Sequence, residues 1–208
     1  MTGKGNYSGT ATKTFTITAV SLADATIADI AAQSYTGAAI TPAVTVTLGN
    51  TTLSSETDYT VAYSDNTNVG TATVTVTGKG NYSGTATTTF AITAVSLADA
   101  TIADIAAQSY TGAAITPAVT VTLGNTTLSS ETDYTVAYSD NTNVGTATVT
   151  VTGKGNYSGT ATKMFAITAV SLADATIADI AAQSYTGAAI TPAVTVTLGN
   201  TMLSSETD

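Results

Sequence analysis

The sequence contains no cysteine, histidine, tryptophan or arginine, and its five cationic side chains are all lysine. Without cysteine there is no disulfide, no thiolate nucleophile and no cysteine-based zinc site. Without histidine a Ser-His-Asp triad cannot be assembled, and without arginine no guanidinium can clamp a phosphate. We therefore predict that the chain is not an enzyme, and we expect no catalytic residues and no bound cofactor.

Positive charge and long apolar runs are also scarce. Fourteen acidic residues against five lysines give a net charge of −9, whereas nucleic-acid binders carry basic patches. No apolar run approaches the roughly 20 residues that span a bilayer. We therefore expect no nucleic-acid partner and no membrane insertion in this segment. The first residues lack the apolar stretch of a signal peptide, so any export signal is expected outside the segment.

The residues that are present form one repeated unit. The string TGKGNYSGTAT begins at Thr2, Thr77 and Thr152, a spacing of 75 residues, and whole units recur with few differences. A unit of this length is longer than the repeats of most solenoids and long enough for a small sandwich of short strands. We therefore predict an all-β fold of tandem β-sandwich repeats with a 75-residue period.

Turn residues and the apolar pattern place the boundary of the unit near Leu22. Residues 1–21 are then the closing strand of a preceding repeat, and 172–208 are the N-terminal half of a third. Residues 22–96 and 97–171 are two complete repeats. Because both ends fall inside a repeat, we expect the segment to be a window on a longer array. A strand-exchanging polymer is the lower-ranked alternative.

Period-two alternation predicts the strands. In residues 71–77, alanine and valine share one face and threonine occupies the other, and 44–48 and 59–64 follow the same pattern. The turn at 78–81, Gly-Lys-Gly-Asn, is expected to close a hairpin with glycine and asparagine at positive φ.

Two local features allow alternatives. Residues 22–32 are alanine-rich, and we favour an irregular first strand that crosses between sheets over a helix. Counting back from Phe90, the inward face includes Thr88, which aligns with Lys163 in the next repeat. Either a bulge resets the register there, or the lysine lies at a strand end and extends its ammonium group to solvent.

The most specific sequence pieces are YTG from Tyr35, DYTVAYSDN at 58–66, VGTATVTVTGKGNY at 69–82 and the closing F-x-I at 90–92. These pieces resemble the bacterial immunoglobulin-like repeats of large cell-surface and secreted proteins. The resemblance implies immunoglobulin-like β-sandwiches in an extracellular or cell-surface protein. It also implies a stalk or fibre that acts as a rigid spacer, often within adhesins, with neighbouring repeats of the same chain as partners.

The alternative function is an adhesin-type binding module for a glycan or protein ligand. Tyr82 and Tyr157 are the ligand candidates, because each follows a Gly-Lys-Gly-Asn turn and carries an aromatic face. The incomplete terminal repeats, 1–21 and 172–208, add possible self-association, because an unclosed sandwich exposes strand edges.

Metal binding rests on three weak calcium candidates. Asp24 and Asp29 lie near the junction between repeats, and Asp65 lies in a turn. Carboxylates are calcium ligands, yet the D-x-D-x-D-G spacing of a calcium loop is absent. The favoured interpretation is no metal, with the aspartates capping their own turns.

Overall fold

This computed structural model describes residues 1–204 of the chain. Alternating threonine and small apolar residues form β-strands that lie between Val20 and Met202. One short 3₁₀ turn, Leu172–Asp174, is the only helical element among those residues, which confirms the all-β prediction. The chain forms two compact units. The first contains Met1–Thr101, Val121–Thr135 and Val151–Ala161, and the second contains Ile102–Thr120, Val136–Thr150 and the chain from Thr162 onward.

Nine strands occupy the first part of the chain. They are β1 (Val20–Ser21), β2 (Thr26–Ile27), β3 (Gln33–Ser34), β4 (Val46–Leu48), β5 (Thr51–Thr52), β6 (Tyr59–Ser64), β7 (Gly70–Gly78), β8 (Tyr82–Ser83) and β9 (Thr85–Thr93).

These strands form a three-stranded sheet of order β2-β4-β5, a four-stranded sheet of order β3-β9-β7-β6 and the two-stranded pair β1-β8. The long strands β7 and β9 are antiparallel, in a register that runs from Gly70↔Ile92 to Thr77↔Thr85. β3 joins the other edge of β9 in parallel, whereas β6 pairs antiparallel with β7.

The core lies between the two larger sheets. Val46 of the three-stranded sheet packs with Tyr59 and Val76 of the four-stranded sheet, and Leu22 and Leu53 complete this cluster. A second cluster contains Ala72, Val74, Phe90 and Ile92. All nine side chains are at most 5% exposed. The arrangement is sandwich-like, with threonine on the outward faces of the long strands.

Residues 22–32 form no helix. β2 belongs to the three-stranded sheet and β3, six residues later in the chain, belongs to the four-stranded sheet. The predicted irregular strand that crosses between sheets is therefore confirmed. Alternation in β9 is unbroken as well: Thr88 pairs with Val74 and is half-buried on the inward side. The bulge considered for this position is absent, and the position lies in mid-strand rather than at a strand end.

The 78–84 turn forms the expected hairpin, with one difference. Gly80 and Gly84 have φ values of 65° and 77°, but Asn81 does not have a positive φ, so that part of the prediction is wrong. Gly78 is required for a different reason. A Cβ built on it lies 2.6 Å from the backbone nitrogen of Ser83, because the returning strand passes directly over it.

Nine further strands follow. They are β10 (Val95–Ser96), β11 (Thr101–Ile102), β12 (Gln108–Ser109), β13 (Val121–Leu123), β14 (Thr126–Thr127), β15 (Tyr134–Ser139), β16 (Gly145–Gly153), β17 (Tyr157–Ser158) and β18 (Thr160–Thr168). Their sheet orders are β10-β17, β11-β13-β14 and β12-β18-β16-β15.

The last part of the described chain holds β19 (Thr176–Ile177), β20 (Val196–Leu198) and β21 (Thr201–Met202), in a three-stranded sheet of that order. Every residue from 172 to 204 is exposed or half-buried, and none is buried. The predicted half-repeat 172–208 extends past the described residues at 205–208, and the predicted repeat boundaries stay predictions.

Among residues 1–204, no helix has the length and apolar character needed to cross a membrane.

Candidate functional site

The turn between β16 and β17 holds Asn156 on a fixed backbone. The Lys154 backbone N–H donates to the Asp133 carbonyl oxygen at 2.8 Å, and the Lys154 ammonium group donates to the Glu131 carbonyl oxygen at 2.6 Å. Gly155 supplies the positive φ of the turn, 63°. These bonds of Lys154 hold the backbone from which the Asn156 side chain extends.

Asn156 makes three hydrogen bonds to residues far away in the sequence. Its Oδ1 accepts from the Val69 N–H at 2.8 Å, and its Nδ2 donates to Asn68 Oδ1 at 3.1 Å. Its backbone carbonyl accepts from the Val95 N–H at 3.1 Å. The amide uses its acceptor and its donor in the directions that their chemistry allows. One side chain thus binds the β6–β7 loop, and its backbone binds β10.

Tyr157, the next residue, contacts a second tyrosine. Its ring meets that of Tyr35 edge to face, with centroids 5.8 Å apart and planes at 79°. The Tyr35 N–H is held by the Thr93 carbonyl at 2.9 Å, and Tyr157 pairs with Val95 in the parallel strand pair β10–β17. Burial raises the pKa of Tyr157, and the nearby charges of Asp133 and Tyr35 raise it further.

We call these residues the junction cluster: Tyr35, Asn68, Val69, Val95, Asn156 and Tyr157. All of them lie in the first compact unit. A surface pocket of about 390 Å³ beside them is lined by Tyr35, Val95 and Tyr157 of the cluster, together with Thr36, Gly37, Leu123 and Thr126. The cluster offers amides, phenols and apolar groups, which suit the fixing of one chain segment on another.

Of the two ligand candidates, Tyr157 lies in this cluster and Tyr82 lies elsewhere in the same unit. Tyr82 is half-buried against the core cluster of Leu22, Val46 and Tyr59. Tyr157 is half-buried too. Each ring therefore has one side already committed to protein contacts, and binding of a glycan or protein ligand by either tyrosine stays a prediction.

The three calcium candidates lie in separate loops. Asp24 follows β1, Asp29 lies between β2 and β3, and Asp65 begins the β6–β7 loop with a φ of 55°. In the part of the chain that the structure describes, no three acidic side chains are grouped closely enough to hold a metal ion. The structure does not bring these aspartates together, and calcium binding stays a prediction.

Sequence reasoning missed two interactions. The pairing of Asn156 with Asn68 was not anticipated, because both asparagines match ordinary turn positions. The second is an ion pair in which the Lys163 ammonium group lies 2.6 Å from Asp104 Oδ1. This contact explains the lysine on an inward-facing strand position, since its stem is half-buried and its charge reaches an exposed carboxylate. The hydrogen bond and the positive charge lower the pKa of Asp104.

Comparison with known proteins adds no family: no protein-family model matches the chain, and no curated protein matches it with a significant score.

Proposed function

We propose that the chain is a structural spacer, built from immunoglobulin-like β-sandwich repeats, that carries another domain away from a bacterial cell surface. The repeats in this proposal are 22–96 and 97–171, with 1–21 and 172–208 as parts of further repeats. Support comes from the sandwich-like sheets, from the resemblance of the sequence to such repeats, and from the lack of histidine and cysteine. The proposed location is extracellular.

The observation that carries the proposal is the junction cluster. Tyr35, Asn68 and Val69 belong to the first proposed repeat, whereas Asn156 and Tyr157 belong to the second. Two asparagine hydrogen bonds and an aromatic contact therefore fasten one repeat to the next. The connection itself is short, since only Ala94 separates β9 from β10. A connection without glycine or a long loop favours a stiff joint over a flexible tether.

The strength of the joint follows from ordinary magnitudes. Each hydrogen bond contributes about 0.5–1.5 kcal/mol net, and an aromatic pair contributes a similar amount. Their sum is about 1.5–4.5 kcal/mol, and 1.4 kcal/mol is a tenfold preference. We therefore expect the joint to be closed in more than about 90% of molecules.

Distance measurements between spin labels test the proposal. The chain has no cysteine, so Thr85→Cys and Thr160→Cys, at exposed positions one repeat apart in the first compact unit, give unique labels. Dilute protein should give one narrow peak near 25–35 Å, the length of a repeat whose strands rise about 3.3 Å per residue. Asn156→Ala should broaden the peak. Asn81→Ala, the aligned position in the first repeat, is the matched control and should leave the width unchanged.

A broad distribution in the unsubstituted chain contradicts a rigid spacer. If the peak is narrow but Asn156→Ala leaves it unchanged, the junction cluster does not provide the stiffness, and the observation on which the proposal rests is removed.

A further inference from the structure

Two short strand pairings recur in the chain. β1 pairs with β8 and β10 pairs with β17, both in parallel, and each pairing joins a Val-Ser segment to a Tyr-Ser segment. The sequence contains each segment once more, as Val170–Ser171 and Tyr7–Ser8. In the part of the chain that the structure describes, neither of these two segments has a strand partner.

Val170 lies on a surface pocket of about 350 Å³ in the second compact unit, which we call the acceptor pocket. Three of its apolar side chains are exposed: Val144 at 55%, Val170 at 43% and Leu172 at 58%. The lining residues are Tyr110, Asn143, Val144, Ala169, Val170, Leu172, Leu198 and Leu203.

The acceptor pocket contains copies of most of the junction cluster. Tyr110, Asn143, Val144 and Val170 align, at a spacing of 75 residues, with the cluster's Tyr35, Asn68, Val69 and Val95. In the junction cluster, each of those four residues contacts Asn156 or Tyr157. An asparagine–tyrosine pair on a turn is therefore the chemistry that the pocket fits.

Such a pair is present on residues 1–11, which we call the donor hairpin. Asn6 and Tyr7 follow the same Gly-Lys-Gly sequence as Asn156 and Tyr157. The Gly3 N–H donates to the Gly9 carbonyl at 2.8 Å, and the aligned glycines of both later turns make the same bond. Tyr7 is 80% exposed. The donor hairpin thus already has the turn geometry of the docked copy.

We propose that the donor hairpin of one chain docks in the acceptor pocket of a second copy of this chain. Tyr7–Ser8 pairs in parallel with Val170–Ser171, the Asn6 amide binds the Val144 N–H, and the Tyr7 ring packs on Tyr110. Because donor and acceptor are different surfaces, the contact is heterologous and adds chains head to tail.

The strength of this association has two expected features. Within one chain the covalent connection supplies an effective concentration on the order of millimolar. A joint that is closed in more than about 90% of molecules then implies that free copies associate with a dissociation constant of about 0.1 mM or below. Each chain carries a net charge of −9, so added salt should strengthen the association by screening repulsion.

Sedimentation of the full chain tests the proposal, at concentrations up to about 1 mM, the effective concentration of a short linker. The unsubstituted chain should form oligomers whose size grows with concentration. Tyr7→Ala and Val144→Asp, both at exposed sites, should each weaken association about tenfold or more. Tyr185→Ala removes a tyrosine that is 93% exposed and lies outside both surfaces, so it is the control and should have no effect.

Mixing the two variants gives a sharper result. Tyr7→Ala retains only the acceptor and Val144→Asp retains only the donor, so the mixture should form one-to-one dimers and nothing larger. Cross-linking tests the strand register of the docked hairpin. Ser8→Cys mixed with Ser171→Cys should yield a disulfide-linked dimer, because the aligned residues Ser83 and Ser21 are paired within one chain. Ser184→Cys in place of Ser171→Cys should yield none.

Three outcomes overturn the proposal. They are a chain that stays monomeric at every concentration, oligomers that are insensitive to Tyr7→Ala, and a mixture of the two variants that forms no dimer. A monomer would leave the spacer proposal untouched, because that proposal is tested by distances within one dilute chain.

Discussion

The position shared by Thr88 and Lys163 shows how one residue changes its surroundings in an otherwise repeated sequence. Both side chains occupy an inward-facing, half-buried place in a long strand. Threonine is short enough to stay there, whereas lysine carries its charge outward to Asp104, whose side chain is 97% exposed. The contact is solvent-screened, so its signature is the titration of the aspartate rather than a large change in stability.

We predict that Lys163→Thr returns the pKa of Asp104 toward its ordinary value of 3.8. In the unsubstituted chain the pKa lies below that value, so the pair stabilises the folded state above the ordinary pKa and loses its effect as the pH falls through the lowered pKa. Carboxyl NMR titration measures the change. Lys13→Thr removes the same charge at the aligned position and should not alter the Asp104 titration.

The raised pKa of Tyr157 leads to a prediction about stability at alkaline pH. Its pKa is raised above the ordinary 10.0, so the folded state holds the phenolic proton more tightly than the unfolded chain. This contribution is complete below pH 10 and is lost as the pH rises through the raised pKa. Tyr157→Phe should therefore reduce the loss of unfolding free energy above pH 10, as measured by denaturant titrations at several pH values. Tyr7→Phe is the control, and identical slopes for Tyr157→Phe and the unsubstituted chain would contradict the prediction.

At the scale of elements, the β7–β9 hairpin depends on a glycine that has an ordinary φ. A Cβ on Gly78 would meet the backbone of Tyr82 and Ser83 at 2.6–2.9 Å, and backbone atoms cannot rotate away as a side chain can. Gly153 in the second hairpin has the same close approach, 2.6 Å. The Gly-Lys-Gly turn thus uses its first glycine for space and its second for positive φ.

We predict that Gly78→Ala lowers the free energy of unfolding by about 1–3 kcal/mol, the usual cost of forcing extra volume into a packed site. Thr77→Ala, one residue earlier on the exposed face, is the control and should change it by less than about 0.5 kcal/mol. Denaturant unfolding followed by circular dichroism measures both. Equal effects of the two variants would show that the strand crossing at Gly78 is looser than described.

A segment before β4 is held in place by tyrosine hydroxyl groups rather than by strand pairing. Residues 35–45 form no strand, yet the Tyr63 hydroxyl donates to the Pro42 carbonyl at 2.5 Å and the Tyr59 hydroxyl donates to the Val44 carbonyl at 3.1 Å. Both tyrosines lie on β6. The irregular segment is therefore attached to the sheet by side chains, and burial, with the nearby Tyr59, raises the pKa of Tyr63.

At the scale of the whole molecule, identical local sequences have different neighbours. Asn81 and Asn156 occupy the same turn, but only the Asn156 side chain has a hydrogen-bond partner among the described residues. In a tandem array, stability is the sum of repeat terms and nearest-neighbour terms. Comparing substitutions of these two asparagines therefore measures the free energy that contacts between neighbouring repeats contribute to stability.

We predict that Asn156→Ala lowers the free energy of unfolding by about 1–3 kcal/mol, the sum of two hydrogen bonds, whereas Asn81→Ala changes it little. The chain has no tryptophan, so tyrosine fluorescence during urea titration reports unfolding without interference. Equal losses in the two variants would mean that the asparagine acts within its own turn and not across the junction.

The sequence by itself determined the strands, their buried faces and the hairpin turns. Alternation in 71–77 acts between neighbouring residues, and the structure buries Val74 and Val76 as the alternation requires. Glycine-rich turns act over a few residues as well, so the all-β fold and the crossing first strand followed from local chemistry.

Only the tertiary structure decided which distant groups meet. Asn156 binds Asn68 and Val69, and these residues are separated by 88 and 87 positions in the sequence. Nothing local distinguishes Asn156 from Asn81, since both follow Gly-Lys-Gly. Lys163 likewise finds Asp104 at a separation of 59 residues. Such partners are set by how packed sheets place their loops, because a side chain's own sequence neighbours fix its direction but not what lies opposite it.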